Sequence, residues 1–273
     1  MLRAKKSLGQ NFLVDERVIE RIVRAVEPRE GETVVEIGPG RGALTGRLVE
    51  HAGRLVAVEY DRELVHLLRE RFAGFGNFTL LEDDALTIDL CNAIAPAMSA
   101  SLVANLPYNI STAILQRLLE QRECLTEMVL MLQREVVGRI MAAPSTSERG
   151  YLSVLVEAYA SVERLFDVAP EAFRPVPKVW STVVRLHARR RMTVEVKDEA
   201  LLWRIVSTGF GQRRKTIFNN LRHAQAGLRQ LVEEAGGAQS LLTMACIEPG
   251  RRAETLSLEE WARLSNSLAD SAS

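Results

Sequence analysis

The sequence predicts an α/β chain: a mixed, mostly parallel sheet covered by helices, followed by a small all-α C-terminal domain. Three observations predict it. Short apolar runs ending in Gly, Asp or Asn alternate with amphipathic segments as far as residue 143, the pattern of strand–helix–strand units around a parallel sheet. Two strand-like runs separated by a Pro-rich stretch follow, "VERLFDV" (162–168) and "STVVRLHA" (181–188). They suit an antiparallel pair at the sheet edge. After "ARRRMTVEVKD" (188–198) the apolar residues recur at helical spacing.

The elements follow in order. Val14, Val18, Ile22 and Val26 recur every fourth residue, with Ile19 and Val23 beside them, and predict an amphipathic helix ending at Glu27-Pro28. "ETVVEIG" (32–38) reads as a buried strand, "ALTGRLVEHAG" (43–53) as a helix, "RLVAVEYD" (54–61) as a strand and "RELVHLLRERFAG" (62–74) as a helix closed by Gly74. "FTLLEDD" (78–84) and "SLVAN" (101–105) are strands, "STAILQRLLE" (111–120) a helix, "EMVLMLQ" (127–133) a strand and "REVVGRIMAA" (134–143) a helix. A helix at 151–160 precedes the edge pair. The last third reads as helices at 199–210, 215–224 and 227–237, and Ser257 and Glu260 form a capping box opening a final helix at 258–269. A domain boundary near residue 191 divides the chain into 1–191 and 192–273.

The 273 residues are 47% hydrophobic and 26% charged, an ordinary globular composition. Cys91, Cys124 and Cys246 form no CxxC pair. That argues against a disulfide framework or a zinc site and fits a reducing cytoplasm. The four histidines show no ligand spacing, so no metal is assigned. No apolar stretch suits a signal peptide or a membrane span. Lys and Arg together number 35, as do Asp and Glu. The balance hides a distribution: basic clusters stand at 3–6, 185–191 and 211–216, and an acidic one at 81–89. A polyanion responds to the local patch, because salt screens the field within roughly 10 Å. Arg189, Arg190, Arg213, Arg214 and Lys215 are therefore candidates for RNA contact.

"EIGPGRG" (36–42) joins a strand to a helix. Glycines at 38, 40 and 42 let the backbone pass close to a ligand at the carboxyl end of the sheet. The next strand ends in Glu59, 21 residues after Gly38, where a carboxylate can hold both ribose hydroxyls of a nucleoside. This suits a dinucleotide or S-adenosylmethionine. The GxGxG spacing, the extra carboxylate of Glu36 beside a would-be pyrophosphate, and Asp83-Asp84 at the third strand end, where Asp84 can accept from an adenine amine, favour the second.

The fourth strand ends in "NLPYNIST" (105–112). An exocyclic aromatic amine is a weak nucleophile. The Asn105 amide oxygen and the Leu106 backbone carbonyl could accept both its N–H bonds and stabilise charge as it develops. Pro107 stiffens the turn, and Tyr108 offers a ring on which a base can stack. Asn105, Leu106 and Tyr108 are thus the candidate catalytic group.

With "KKSLGQNFL" (5–13), "EIGPGRGALT" (36–45), "NLPYNIST", "LQREVV" (132–137), "AFRPVPKVWS" (172–181), "QRRKTIFNNL" (212–221) and "RAETLSLEEWARLS" (252–265), the chain resembles the KsgA family of ribosomal RNA adenine N6-dimethyltransferases along nearly its whole length. The resemblance implies a Rossmann-like class I methyltransferase domain at 1–191 and a helical domain at 192–273. It implies S-adenosylmethionine as cofactor, touched by Asn11, Leu13, Gly38 and Gly40, with Glu59 on the ribose, Asp84 on the adenine and Asn105 between cofactor and target amine. It also implies that Tyr108 and Phe173 sandwich the base. The implied reaction places two methyl groups on each of two adjacent adenosines near the 3′ end of 16S rRNA, in a partly assembled small subunit, by a cytoplasmic monomer. The chain departs from the family at Trp180, where Asp is usual. Other readings stand beside this one. An Erm-type methyltransferase acting on large-subunit rRNA shares similar motifs, but "QRRKTIFNNL" favours the small-subunit reading. DNA adenine methyltransferases carry a second proline or an Asp in the four-residue motif. An assembly-checkpoint or RNA-binding role with incidental catalysis would not need intact Asn105 and Tyr108.

Overall fold

The computed structural model describes residues 4–5, 8–28 and 31–271. It divides into two compact units, Met1–Val137 with Ala160–Arg190, and Gly138–Tyr159 with Arg191–Ser273.

In the first unit each predicted apolar run forms a strand. The chain runs β1 (Phe12–Leu13), α1 (Glu16–Val26), β2 (Thr33–Ile37), α2 (Thr45–Leu48), β3 (Arg54–Glu59), α3 (Arg62–Arg71), β4 (Phe78–Glu82), α4 (Leu90–Ala93), β5 (Ala100–Asn105), α5 (Ser111–Glu120) and β6 (Leu125–Gln133). After α6 (Arg134–Ile140) and α7 (Tyr151–Tyr159) come β7 (Ala160–Val168), β8 (Phe173–Arg174) and β9 (Ser181–Ala188). The seven-stranded sheet has the order β4-β3-β2-β5-β6-β9-β7. Pairs among β2 to β6 are parallel, whereas β9 is antiparallel to both β6 and β7. This is the mixed sheet with an appended antiparallel pair. Every residue of β2 is buried, as a strand covered on both faces requires. Strand order reverses between β2 and β5, so their carboxyl ends part and leave a crevice.

Helix α1 begins at Asp15, whose carboxylate accepts from the N–H groups of Arg17 and Val18, and ends at Glu27 in a left-handed conformation. Its buried face is Ile19, Ile22, Val23 and Val26. Val14, expected on that face, precedes the helix and is exposed. The helix predicted at 43–53 shrinks to the single turn of α2, with hydrogen-bonded turns on either side. β1 and β8 form a separate two-stranded bridge that pairs Phe12 with Arg174 and Leu13 with Phe173.

Cys91 and Cys124 form a disulfide across 33 residues, a bond not expected from the reading against a disulfide framework. Spacing along the chain does not report this proximity. Gln121 makes it by accepting from the N–H of Leu90 (2.6 Å) and donating to the carbonyl of Ile88 (3.3 Å), which draws the loop before β6 onto α4. Cys246 is free and exposed.

The second unit contains α7, α8 (Glu199–Gly211), α9 (Ile217–Arg222), α10 (Ala226–Glu234), α11 (Gly237–Met244) and α12 (Leu258–Ser271). Its core centres on Trp261, fully buried with Leu202, Ile205, Leu221, Leu241 and Leu264. Gly209 is required there, since a Cβ would sit 2.4 Å from the Trp261 ring. The expected capping box is present: Ser257 N–H donates to Glu260 (2.9 Å), and Glu260 N–H donates to the Ser257 hydroxyl (3.3 Å). Residues 138–159 pack with this unit, although the sequence reading keeps them within 1–191. Tyr151 and Tyr159 of α7 lie against Trp203 of α8, with ring centres 5.7 and 5.6 Å away. Trp203 also donates to the Tyr159 hydroxyl at 2.9 Å. Among the described residues no helix is long and apolar enough to cross a membrane.

Candidate active site

A cavity of about 350 Å³ opens at the carboxyl ends of the parallel strands of the first unit. Five stretches line most of it: 8–13 from the N-terminal segment, 36–41 from the end of β2 onward, 58–60 at the end of β3, 83–86 after β4, and 105–110 from the end of β5 onward. Asn11, Leu13, Gly38, Gly40, Glu59, Asp84, Asn105, Leu106 and Tyr108 therefore meet around one space.

The glycines divide the work. Gly38 has φ +67°, and a Cβ there would meet nothing within 4 Å. It borders the cavity, so its missing side chain leaves room for a ligand. Gly40 lies under the ring of Phe12, and Gly42 against Phe72. Gly42 serves packing, whereas Gly40 packs under Phe12 and also borders the cavity.

Glu59 is 7% exposed. Its carboxylate accepts from the N–H of Gly40 (3.1 Å) and of Asp61 (2.9 Å). Burial raises its pKa, and these backbone donors oppose the rise. Each oxygen keeps a lone pair for a further donor. Glu36 is deeper, with Oε2 accepting from the Thr45 hydroxyl at 2.7 Å. Burial pushes its pKa up to about 7, the Thr45 bond opposing and the Glu59 charge adding to the rise. Asp84 lies two residues beyond β4. One of its oxygens accepts from Leu86 N–H (2.9 Å), and its carbonyl accepts from Ile88 N–H. It thus caps a turn and also borders the cavity.

The Asn105 NH₂ donates to the carbonyl of Asn11 at 3.2 Å, which leaves the amide oxygen as the acceptor for a ligand. Leu106 is buried, and its N–H donates to Met131 at 3.3 Å, fixing the peptide beside β6. The Tyr108 hydroxyl shares a 2.7 Å hydrogen bond with Ser181. That bond ties the ring to the start of β9. Burial holds the phenol above its ordinary pKa, with Ser181 partly offsetting.

Phe173 is not among these residues. Its side chain has no exposed surface and lies in the hydrophobic core with Leu13, Val168 and Ala172. The expectation that it offers a second stacking face is corrected. The β1–β8 bridge turns the ring inward, where it backs Leu13 rather than facing the cavity.

The N-terminal segment carries residues that sequence reading passed over. Asp61, 5% exposed, accepts from Lys5 Nζ (2.7 Å) and from Gln10 Nε2 (3.0 Å). Burial alone would raise the Asp61 pKa, but these hydrogen bonds prevail and lower it. Gly9, at φ +63°, lies so close to Asn109 that a Cβ would be 2.4 Å from its amide oxygen. The segment is therefore laid across the turn after β5 and latched beyond β3. The signal available in the sequence was Asp61 following Glu59 at a strand end. Lys5 is held by this latch, and Arg3 and Lys6 of its basic cluster lie outside the described residues.

Of the other basic candidates, Arg190 is exposed, 3.9 Å from Glu123, and Arg189 is half-buried. Arg185 is engaged by Glu127, Glu163 and the carbonyl of Ala25. In the second unit Arg213 donates to the carbonyl of Ser147, while Arg214 and Lys215 are exposed in the turn before α9. Among the described residues no group of three or more His, Cys, Asp or Glu could hold a metal ion.

The family model "Ribosomal RNA adenine dimethylase" matches residues 1–270. The chain belongs to the ribosomal RNA adenine dimethylase family. Within it, a curated relative from Geobacter sulfurreducens, "Ribosomal RNA small subunit methyltransferase A", is 45% identical over 98% of this chain and 96% of its own. The solved structure of the 23S rRNA methyltransferase ErmE covers 95% of this chain and 100% of its own at 28% identity, with a TM-score of 0.66. A dimethyladenosine transferase from Plasmodium falciparum, at 20% identity, shares the fold with a TM-score of 0.77 over 96% of this chain and 98% of its own. The fold is that of the S-adenosylmethionine-dependent methyltransferases, and the dimethylase family uses that co-substrate.

Proposed function

We propose that this chain transfers methyl groups from S-adenosylmethionine to the N6 amines of two adjacent adenosines in the 3′-terminal hairpin loop of 16S rRNA, two on each, during small-subunit assembly in the cytoplasm. The observation that carries it is the turn at 105–108 opening onto a carboxylate-lined cavity, in a chain that matches the family over residues 1–270. The space bared at Gly38 and the Glu59 and Asp84 carboxylates fit a nucleoside with an attached amino acid.

Bound there, S-adenosylmethionine supplies an electrophilic methyl group. The residues of this chain do the rest. Glu59 holds ribose hydroxyls, Asp84 accepts from the adenine amine, and Asn11, Leu13, Gly38 and Gly40 shape the remaining wall. The Asn105 oxygen and the Leu106 carbonyl accept the two N–H bonds of the target amine and favour the form in which nitrogen gains positive charge. Tyr108 stacks on the base, which offsets part of the cost of taking it out of its stack. No prior deprotonation is required, because the proton leaves to water after transfer. Arg189, Arg190, Arg214 and Lys215, with Arg213, contribute phosphate contacts. The enzyme acts as a monomer.

A large-subunit target is the second reading, favoured by the likeness to ErmE. The 45% identity to a small-subunit methyltransferase over nearly the full length supports the first. Incubation with unmethylated 30S particles and, separately, with 50S particles tests the choice. N6,N6-dimethyladenosine in 16S rRNA alone is expected, and modification of 23S rRNA alone would overturn it.

A further inference from the structure

The loop between β8 and β9 leaves an indole in solvent. Trp180 is 44% exposed, beside Val179 at 43% and Val176 at 53%. Its position is nevertheless fixed from two sides. Its carbonyl accepts from the N–H of Arg134 at 3.0 Å. The next residue, Ser181, is fully buried, pairs with Gln133 across β6–β9, and holds the Tyr108 hydroxyl at 2.7 Å. The Arg134 guanidinium lies 6.0 Å over the indole ring, at the outer edge of cation–π distance. Arg134 and Lys178 are both exposed. An anchored aromatic ring, a guanidinium above it and a second cation two residues away therefore stand one residue from the group that holds Tyr108.

We infer that Trp180 and Arg134 form a second stacking platform, for an unpaired RNA base next to the one received at Tyr108. The inference rests on the proposed function. A base taken out of a loop leaves its neighbour without a partner on one face, and an aromatic ring restores that contact without regard to base identity. Arg134 and Lys178 supply the positive charge that the flanking phosphates require. A protein partner would also cover an exposed indole, but it would not call for two cations around the ring.

The test uses the full chain and a hairpin oligoribonucleotide with unpaired adenosines in its loop. Trp180→Phe identifies the emission of Trp180 against that of Trp203 and Trp261. The hairpin is expected to quench the Trp180 component. Trp180→Ala should weaken hairpin binding roughly 5- to 150-fold, the range for loss of one stacked base. Trp180→Phe should retain most of the affinity, and Trp180→Asp should lose more than Ala, because it adds charge repulsion. Arg134→Ala should also weaken binding and flatten its salt dependence. Far-ultraviolet circular dichroism establishes that each variant is folded. Unquenched Trp180 emission with equal affinity in Ala and wild type would overturn the platform while leaving the methyltransferase reading intact. Loss confined to ribosomal particles, with hairpin binding unaffected, would assign Trp180 to a protein contact and also overturn it. A wild-type chain that neither binds the hairpin nor methylates 30S particles would remove both readings.

Discussion

At the scale of single residues, Glu59 carries two loads. It faces the cavity, and it also satisfies the N–H groups of Gly40 and Asp61. Glu59→Ala should weaken S-adenosylmethionine binding, since charge-assisted hydrogen bonds are worth roughly 1.5–3 kcal/mol each. It should also lower stability, because two donors lose their acceptor. Glu59→Gln keeps an acceptor for only one of these two N–H groups, which bond different oxygens, so calorimetry and denaturation on both variants together separate the two effects. Unchanged affinity in both folded variants would contradict the assignment. Asn105→Ala should leave cofactor affinity nearly intact and slow single-turnover methyl transfer on the order of 10²–10³-fold. Phe173 predicts a stability effect instead. With the ring fully buried, Phe173→Ala should cost about 3–5 kcal/mol of stability, read by chemical denaturation. Phe173→Leu should keep the ratio of monomethyl- to dimethyladenosine near that of the wild type. Glu36 adds a pH dependence. Its folded-state pKa of about 7 lies above the ordinary 4.5. Its stabilising contribution is thus full below about 4.5, declines as pH rises, and is lost above about 7. Denaturation curves taken across that window should show Glu36→Gln flattening the decline.

At the scale of elements, the N-terminal segment is held over the cavity by Asp61, Gly9 and the β1–β8 bridge. Asp61→Asn removes the charge that holds Lys5, and should weaken cofactor binding several-fold at low salt, the deficit shrinking at higher salt where the wild-type ion pair is itself screened. Isothermal titration at two ionic strengths checks this; equal affinities for variant and wild type would mean the latch is incidental. The strands were readable because a parallel strand covered on both faces is a nearly continuous apolar run, as in "TVVEI" and "LVAVE". The cavity was readable because each such run ends in a residue with a chemical reason to be there: Gly38, Glu59, Asn105. Two-residue strands carry no periodicity, so β1 and β8 were not visible, and with them went the inward turn of Phe173. An aromatic among prolines suggests an exposed loop. Only its pairing opposite Leu13 shows that the ring is core. The latch and the Cys91–Cys124 bond likewise depend on which distant residues meet, and no local pattern encodes that.

At the scale of the whole molecule, a chain of zero net charge must bind a polyanion through local patches. Replacing Arg213, Arg214 and Lys215 together with Ala should weaken binding to 30S particles. It should also reduce the slope of log affinity against log salt by up to about two, from counterion release at three sites. Most of that change should come from Arg214 and Lys215, because Arg213 is engaged with Ser147. The central claim concerns the product. Purified chain, S-adenosylmethionine and 30S particles lacking these methyl groups should be incubated together, and the 16S rRNA digested and mapped by mass spectrometry. The account predicts a gain of four methyl groups, two on each of two adjacent adenosines in the 3′-terminal loop, and none with Asn105→Ala at the same time point. Methylation of a single adenosine elsewhere, or full activity in Asn105→Ala, would contradict it.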